Sequence, residues 1–193
     1  MVTHPSILLI EDSPGECELF RLALAQTGLD VALHIKQDAV AAFHFIESQW
    51  PASALTQSHS LNQDRSQSEA AGVASTARVE RAHADRARSA STETIPAASP
   101  SLPSLILLDL QLSGQNGCDL LKRLRSDARF TTIPVVVFTT SDDQSDLARC
   151  YASGANGYVV KPGTFNELIQ CMADLCRYWL TWNRSLFMVE TRC

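Results

Sequence analysis

Nowhere in this 193-residue sequence is there an apolar run long enough to cross a bilayer. The first apolar stretch, in MVTHPSILLIEDS, is too short for a secretory leader and ends in acids rather than small residues. Excess basic charge is also missing: 16 Lys and Arg stand against 21 Asp and Glu, a formal charge of -5, so no electrostatic footprint for nucleic acid is present. The six cysteines, Cys17, Cys118, Cys150, Cys171, Cys176 and Cys193, contain no C-x-x-C pair. That spacing speaks against a zinc or disulfide framework and for a reduced, cytoplasmic protein. Five histidines, His4, His34, His44, His59 and His83, show no ligand spacing, and His34 and His44 read as partly buried structural groups.

Aromatic residues are absent from a long internal stretch. Between residues 51 and 103 Ser, Ala, Gln and Thr dominate and no apolar period persists. Charge repulsion does not account for this segment, because five arginines balance five acids. It has too little apolar surface to pack, and reads as a disordered, low-complexity insertion within one domain spanning 1–193, with a tail over 185–193.

The remainder is regular. SILLIED is a short strand pattern, followed by a helix with Leu19, Leu22 and Ala23 at helical spacing and Gly28 at its end. DVALHIK alternates as a strand, and Asp38 is placed to cap a helix through AVAAFHFIESQW. After the insertion come LILLDL, the helix GCDLLKRLRSD, IPVVVFTT, a helix from SDDQSDLARCYASG, and GYVV. The last helix opens on a Thr164/Glu167 capping box and carries a stripe of Phe165, Leu168, Ile169, Met172, Leu175 and Trp179. Strands alternating with helices predict a doubly wound, five-stranded parallel sheet in the flavodoxin-like order 2-1-3-4-5, an α/β fold. Its site is expected beyond the carboxyl ends of the strands.

Those ends carry the chemistry. The first strand delivers Glu11 and Asp12, the third Asp109, the fourth Thr139 and Thr140, and the fifth Lys161. Three carboxylates in one crevice repel each other unless a hard divalent cation, Mg²⁺ above all, takes their oxygens. Metal, amine and hydroxyl around one carboxylate make a holder for a phosphoryl group, with the carboxylate as nucleophile. Each residue alone has a plainer reading: Glu11 and Asp12 as a solvated helix start, Asp109 as a turn residue, Lys161 as a loop lysine, Thr139 as a strand residue.

The blocks LLIEDS, LILLDLQLSGQNG, VVVFTTS and GANGYVVKP, in that order, resemble the receiver domain of two-component response regulators. The resemblance implies that Asp109 accepts a phosphoryl group from a sensor histidine kinase. It implies Mg²⁺ on Asp12, Asp109 and the backbone carbonyl of Gln111, with Glu11 acting mostly through water. It further implies that Lys161, followed by a cis bond to Pro162, and Thr139 contact the phosphoryl group, and that Tyr158 is the switch aromatic. Ser113 and Asn116 stand where the family usually has proline and aspartate, while Gly117 is retained.

After Lys161 there is room for one helix and a tail, so no DNA-binding domain is expected and signalling passes through protein contacts. The ending DLCRYWLTWNRSLFMVE resembles that of stand-alone receivers paired with phytochrome-type kinases. Trp179, Trp182, Phe187 and Met188 form either a docking or homodimer face or part of the helix's own packing. Two other readings compete: a pseudo-receiver that works unphosphorylated, opposed by the complete set of Asp12, Asp109, Thr139 and Lys161, and an enzyme with an aspartyl-phosphate intermediate, opposed by the lack of a second acid beside Asp109. A nucleotide or flavin site is disfavoured because the first turn, EDSPGE, is acidic.

Overall fold

The structure, a computed structural model, describes residues 5–49, 102–128 and 130–184. The strand β1 (Ser6–Ile10) lies between β2 (Ala32–Lys36) and β3 (Leu105–Leu108), and β6 (Val135–Thr139) and β7 (Gly157–Val160) continue the sheet. All pairings in it are parallel, with Leu8 facing His34 on one side and Ile106 on the other. The spatial order β2-β1-β3-β6-β7 is the expected 2-1-3-4-5 once a small hairpin is set aside. That hairpin, β4 (Gln111–Leu112) with β5 (Gln115–Asn116), turns at Gly114 with φ of 81° and was not apparent from periodicity, because two-residue strands carry none.

Side chains alternate across the central strands, so each strand feeds two cores. Leu8, Ile10, Ile106 and Leu108 pack under α2 (Ala39–Gln49) and α3 (Gly117–Ser126), while Ile7, Leu9, Leu105 and Leu107 pack under α1 (Pro14–Gln26) and α5 (Phe165–Cys176). Burial on both faces explains why Ile7–Ile10 and Leu105–Leu108 are continuous apolar runs. The fourth helix, α4 (Gln144–Ala152), contributes Cys150 to a smaller cluster with Leu110, Cys118 and Val137.

Local signals set the helix starts. Ser13 caps α1 with Pro14 in its first turn, Asp38 Oδ1 accepts from Ala41 N at 2.7 Å, and the Thr164/Glu167 capping box is formed. The buried face of α1 differs from the expected one. Of the expected stripe, Ala23 faces the sheet, together with Cys17, Phe20 and Leu24, whereas Leu19 and Leu22 are 47% and 43% exposed. Apolar residues surround most of this helix, so spacing alone does not choose a side.

On α5, Met172 is fully buried and Leu168, Ile169 and Leu175 pack into the same core with Trp179 beyond the helix end, whereas Phe165 is exposed. The helix continues as a wider π-type turn over Arg177–Trp182, where Trp182 is 71% exposed. Phe187 and Met188 and the expected tail lie outside the described residues. So does the expected insertion, except for its last two positions. Leu102 and Pro103 are buried, Leu102 in the core, and Ser104 N donates to Ser6 O at 2.8 Å. His34 is half-buried against Phe45, with ring centroids 4.7 Å apart, but His44 is exposed on α2. Among the described residues no helix is long and apolar enough to cross a membrane.

Candidate functional site

At the carboxyl end of the sheet, β1 runs into Glu11 and β3 into Asp109; they are 2% and 5% exposed. Backbone bonds lock these ends together: Glu11 N donates to Lys36 O and Asp109 N to Ile10 O, both at 3.0 Å. Across from them Lys161, whose N–H donates to Thr139 O at 2.7 Å, sends its ammonium into the acids. Its Nζ lies 2.6 Å from Glu11 Oε2 and 3.4 Å from Asp109 Oδ2, and is also paired with Glu16. The Phe138 ring lies 5.9 Å below the same ammonium.

Burial pushes the Glu11 carboxyl above the usual carboxylate range, despite hydrogen bonds from Lys161 and from Ser13 N–H. Burial alone would lower Lys161, but the bonds to Glu11 and Glu16 and the charge of Asp109 outweigh it and raise the ammonium. The lysine thus stands as a permanent positive charge amid the acids.

Glu16 was not singled out from the sequence. Ser13 and Glu16 have capping-box spacing, in which the glutamate returns to the N–H of the capping residue. Here Glu11 Oε1 takes that N–H at 3.0 Å, and the Glu16 carboxylate is released toward Lys161. Glu11, Glu16 and Asp109 each bring an oxygen within 4.8 Å of the others. Asp12 is not in this group. Its Oδ2 is held by Ser113, from the backbone N–H at 2.6 Å and from the hydroxyl, and these bonds pull its pKa below the usual range. Gln111 lies in β4, paired with Asn116.

Asp109 Oδ1 accepts from Leu110 N–H at 2.7 Å, so Oδ2 is the oxygen turned to Lys161. Gly117 N–H donates to Leu110 O at 3.0 Å, and a Cβ on Gly117 would stand 2.3 Å from the Asp109 carbonyl oxygen. Only glycine permits α3 to start so close to the acceptor loop.

Thr139 is fully buried, and Thr140 beside it is exposed at the rim of a cavity of about 250 Å³ that Glu11, Glu16, Phe20, Phe138 and Lys161 also line. Ser141 links the two expected switch residues: its N–H donates to Thr139 Oγ1 at 3.3 Å, and its carbonyl accepts from Tyr158 Oη at 2.9 Å. The peptide bond before Pro162 is trans, not the expected cis. Trans is the lower-energy isomer of a prolyl bond, and Lys161 reaches the acids without the alternative.

With that geometry in place, comparison with known proteins is decisive. The model of the response regulator receiver domain matches residues 66–173. The chain belongs to the response regulator receiver family. This receiver is 25% identical to Response regulator Rcp1 of Synechocystis sp. over 174 residues, 90% of this chain and 88% of Rcp1. It is 42% identical over 85 residues to the probable methanogenesis regulatory protein FilR2 of Methanothrix harundinacea, covering 44% of this chain. The match spans only about half, 55%, of FilR2. Among solved structures, the phosphorylated cyanobacterial phytochrome response regulator RcpA shares the fold with a TM-score of 0.64 at 23% identity, covering 95% of this chain and 99% of RcpA. The Mn²⁺-bound form of Rcp1 shares it with a TM-score of 0.61 at 23% identity, covering 94% and 98%. Family membership puts the chain in two-component signal transduction, where receivers are phosphorylated by histidine kinases.

Proposed function

We propose that this receiver is a phosphoacceptor in which Asp109 Oδ2 takes the phosphoryl group of a sensor histidine kinase. The observation that carries the reading is the Asp109–Lys161 pair at 3.4 Å inside a buried acidic cluster. An oxygen lone pair on Oδ2 attacks phosphorus, the P–N bond of the kinase phosphohistidine breaks, and its electron pair leaves with the imidazole nitrogen. Lys161 leaves Glu11 and Glu16 to meet a phosphoryl oxygen, and the Thr139 hydroxyl gives up Ser141 N–H to donate to another. Since Tyr158 holds the carbonyl of the same Ser141, that rearrangement reaches the surface formed by α4, β7 and α5.

The carboxylates that already converge, those of Glu11, Glu16 and Asp109, are oxygen ligands of the kind a hard divalent cation takes, and Asp12 would join Asp109 on leaving Ser113. Asp109 and Asp12, with the Gln111 backbone carbonyl, would hold Mg²⁺, and Glu11 would act through water. When bound, the ion neutralises the charge of the transferring phosphoryl oxygens. The Mn²⁺-bound Rcp1 and the phytochrome regulator RcpA support both the metal and a phytochrome-type kinase as donor. The exposed Tyr178 and Trp182, at 55% and 71%, support docking of a second copy at the carboxyl-terminal face.

The test is incubation with Mg²⁺ and beryllofluoride or a small phosphodonor, read by intact mass and tryptophan fluorescence beside Asp109→Asn. A Mg²⁺-dependent response lost in the variant is expected. A folded protein that takes no phosphoryl group and binds no beryllofluoride would overturn the reading in favour of a phosphorylation-independent interaction module.

A further inference from the structure

Away from the acidic cluster, two thiols touch. Cys118 lies in the first turn of α3 and Cys150 near the end of α4; both are fully buried, and their sulfurs are 2.8 Å apart with Leu110 and Val137 around them. A disulfide requires the sulfurs to close to about 2.05 Å, a movement of roughly 0.8 Å. The two surroundings are unequal. The guanidinium of Arg149 reaches the Cys118 side chain, and Asn116 Oδ1 fixes the Cys118 N–H at 2.9 Å in the positive end of the helix. Burial, with the neighbouring Cys118 sulfur, pushes the Cys150 thiol up to about 12. The guanidinium and the helix amides lie on the Cys118 side, which places Cys118 as the attacking sulfur, with the protonated Cys150 thiol in contact to resolve it. Of the other described cysteines, Cys17 donates its S–H to Glu11 O at 3.4 Å, and burial pushes Cys176 up to about 11.

We propose that Cys118 and Cys150 form a dithiol oxidation site whose disulfide staples α3 to α4. With a hydroperoxide as oxidant, the Cys118 sulfur attacks the O–O bond and is oxidised to sulfenic acid, while the peroxide is reduced and leaves as water or an alcohol. Cys150 then attacks that sulfur, the S–O bond breaks, and a second water leaves with the Cys150 proton. Because the thiols are closed off at rest, the peroxide enters when α4 lifts from α3. The staple then holds together two elements that the phosphoacceptor reading requires to move, since α3 begins beside Asp109 and Tyr158 packs on the Cys150 cluster. That consequence rests on the proposed role of Asp109, whereas the disulfide itself does not.

The full chain is treated with hydrogen peroxide, free thiols are blocked, and mass and disulfide-linked peptides are mapped. A loss of the mass of two hydrogens, a Cys118–Cys150 peptide and reversal by dithiothreitol are expected. Cys17, Cys171 and Cys176 stay blocked as thiols, and Arg149→Gln forms the link several-fold more slowly with both cysteines present. Unlinked thiols, or sulfinic acid at Cys118 without a link, in protein with native circular dichroism would overturn the site. Oxidised protein is expected to lose most of its beryllofluoride response. An undiminished response with the link in place would overturn the staple, and no response even when reduced would defeat the Asp109 reading while leaving the disulfide mapped.

Discussion

Ser113 donates its backbone N–H, at 2.6 Å, and its hydroxyl to the same carboxylate oxygen of Asp12. The residue stands where the family usually has proline, which has no N–H to give. Asp12 is thereby held on the hairpin and away from the carboxylates that converge around Lys161. Ser113→Ala removes the stronger tether, a charge-assisted bond worth about 1 kcal/mol after allowing for exposure. Mg²⁺ is then expected to bind about fivefold more tightly by calorimetry. Equal or weaker binding would show that the tether does not compete with the metal.

At Gly117 the limit is space. Gly117→Ala places a Cβ 2.3 Å from the Asp109 carbonyl oxygen and 2.9 Å from Leu110 Cα, so backbone must move. Urea unfolding should show a loss of about 1–3 kcal/mol. Phosphorylation of Asp109 by a small donor should also slow; wild-type values for both would mean the close approach is unimportant.

Arg125 is a half-buried clamp. Its guanidinium donates to the carbonyls of Gly154, Phe130 and Ile133 at 2.9, 3.0 and 3.0 Å, and to Asn156 Oδ1 at 2.6 Å. Arg125→Ala leaves several acceptors without this donor and should cost about 2–4 kcal/mol of stability. Arg125→Lys should recover only part, since one ammonium cannot span the fork. The comparison is made by denaturant midpoints of the three proteins.

His34 provides a pH dependence away from the acids. Burial first, and then Lys36, lowers its pKa from 6.5. Between the folded value and 6.5 the unfolded chain binds more protons, so this contribution to stability is present above pH 6.5 and lost as pH falls through the folded pKa. His34→Gln should flatten the slope of stability against pH over that window. An unchanged slope would assign it to other groups.

Much of this could be read from the chain because buried parallel strands and strand-end chemistry leave local marks. ILLI and LILL are apolar throughout, and an acid directly follows each, a buried charge that marks a site. Contacts between distant positions left no such mark. The partner of Asp12 lies 101 residues away at Ser113, and Glu16 meets Lys161 across 145 residues. Glu16 also carries a local pattern that suggests a different partner, the capping box. The face of α1 was illegible for the opposite reason, since Leu19, Phe20, Leu22 and Leu24 offer too many apolar candidates. Ser141 showed no signal at all, because its role depends on two backbone groups rather than its side chain.

The sheet is mechanically uneven. β1 and β3 are buried along their whole length, whereas β7 is an edge strand that is half-buried, with Val160 44% exposed. The acceptor is therefore mounted on the stiff interior and Tyr158 on the compliant margin. A receiver built this way keeps its reaction geometry fixed while its readout yields, so backbone amides of β3 should exchange with solvent far more slowly than those of β7.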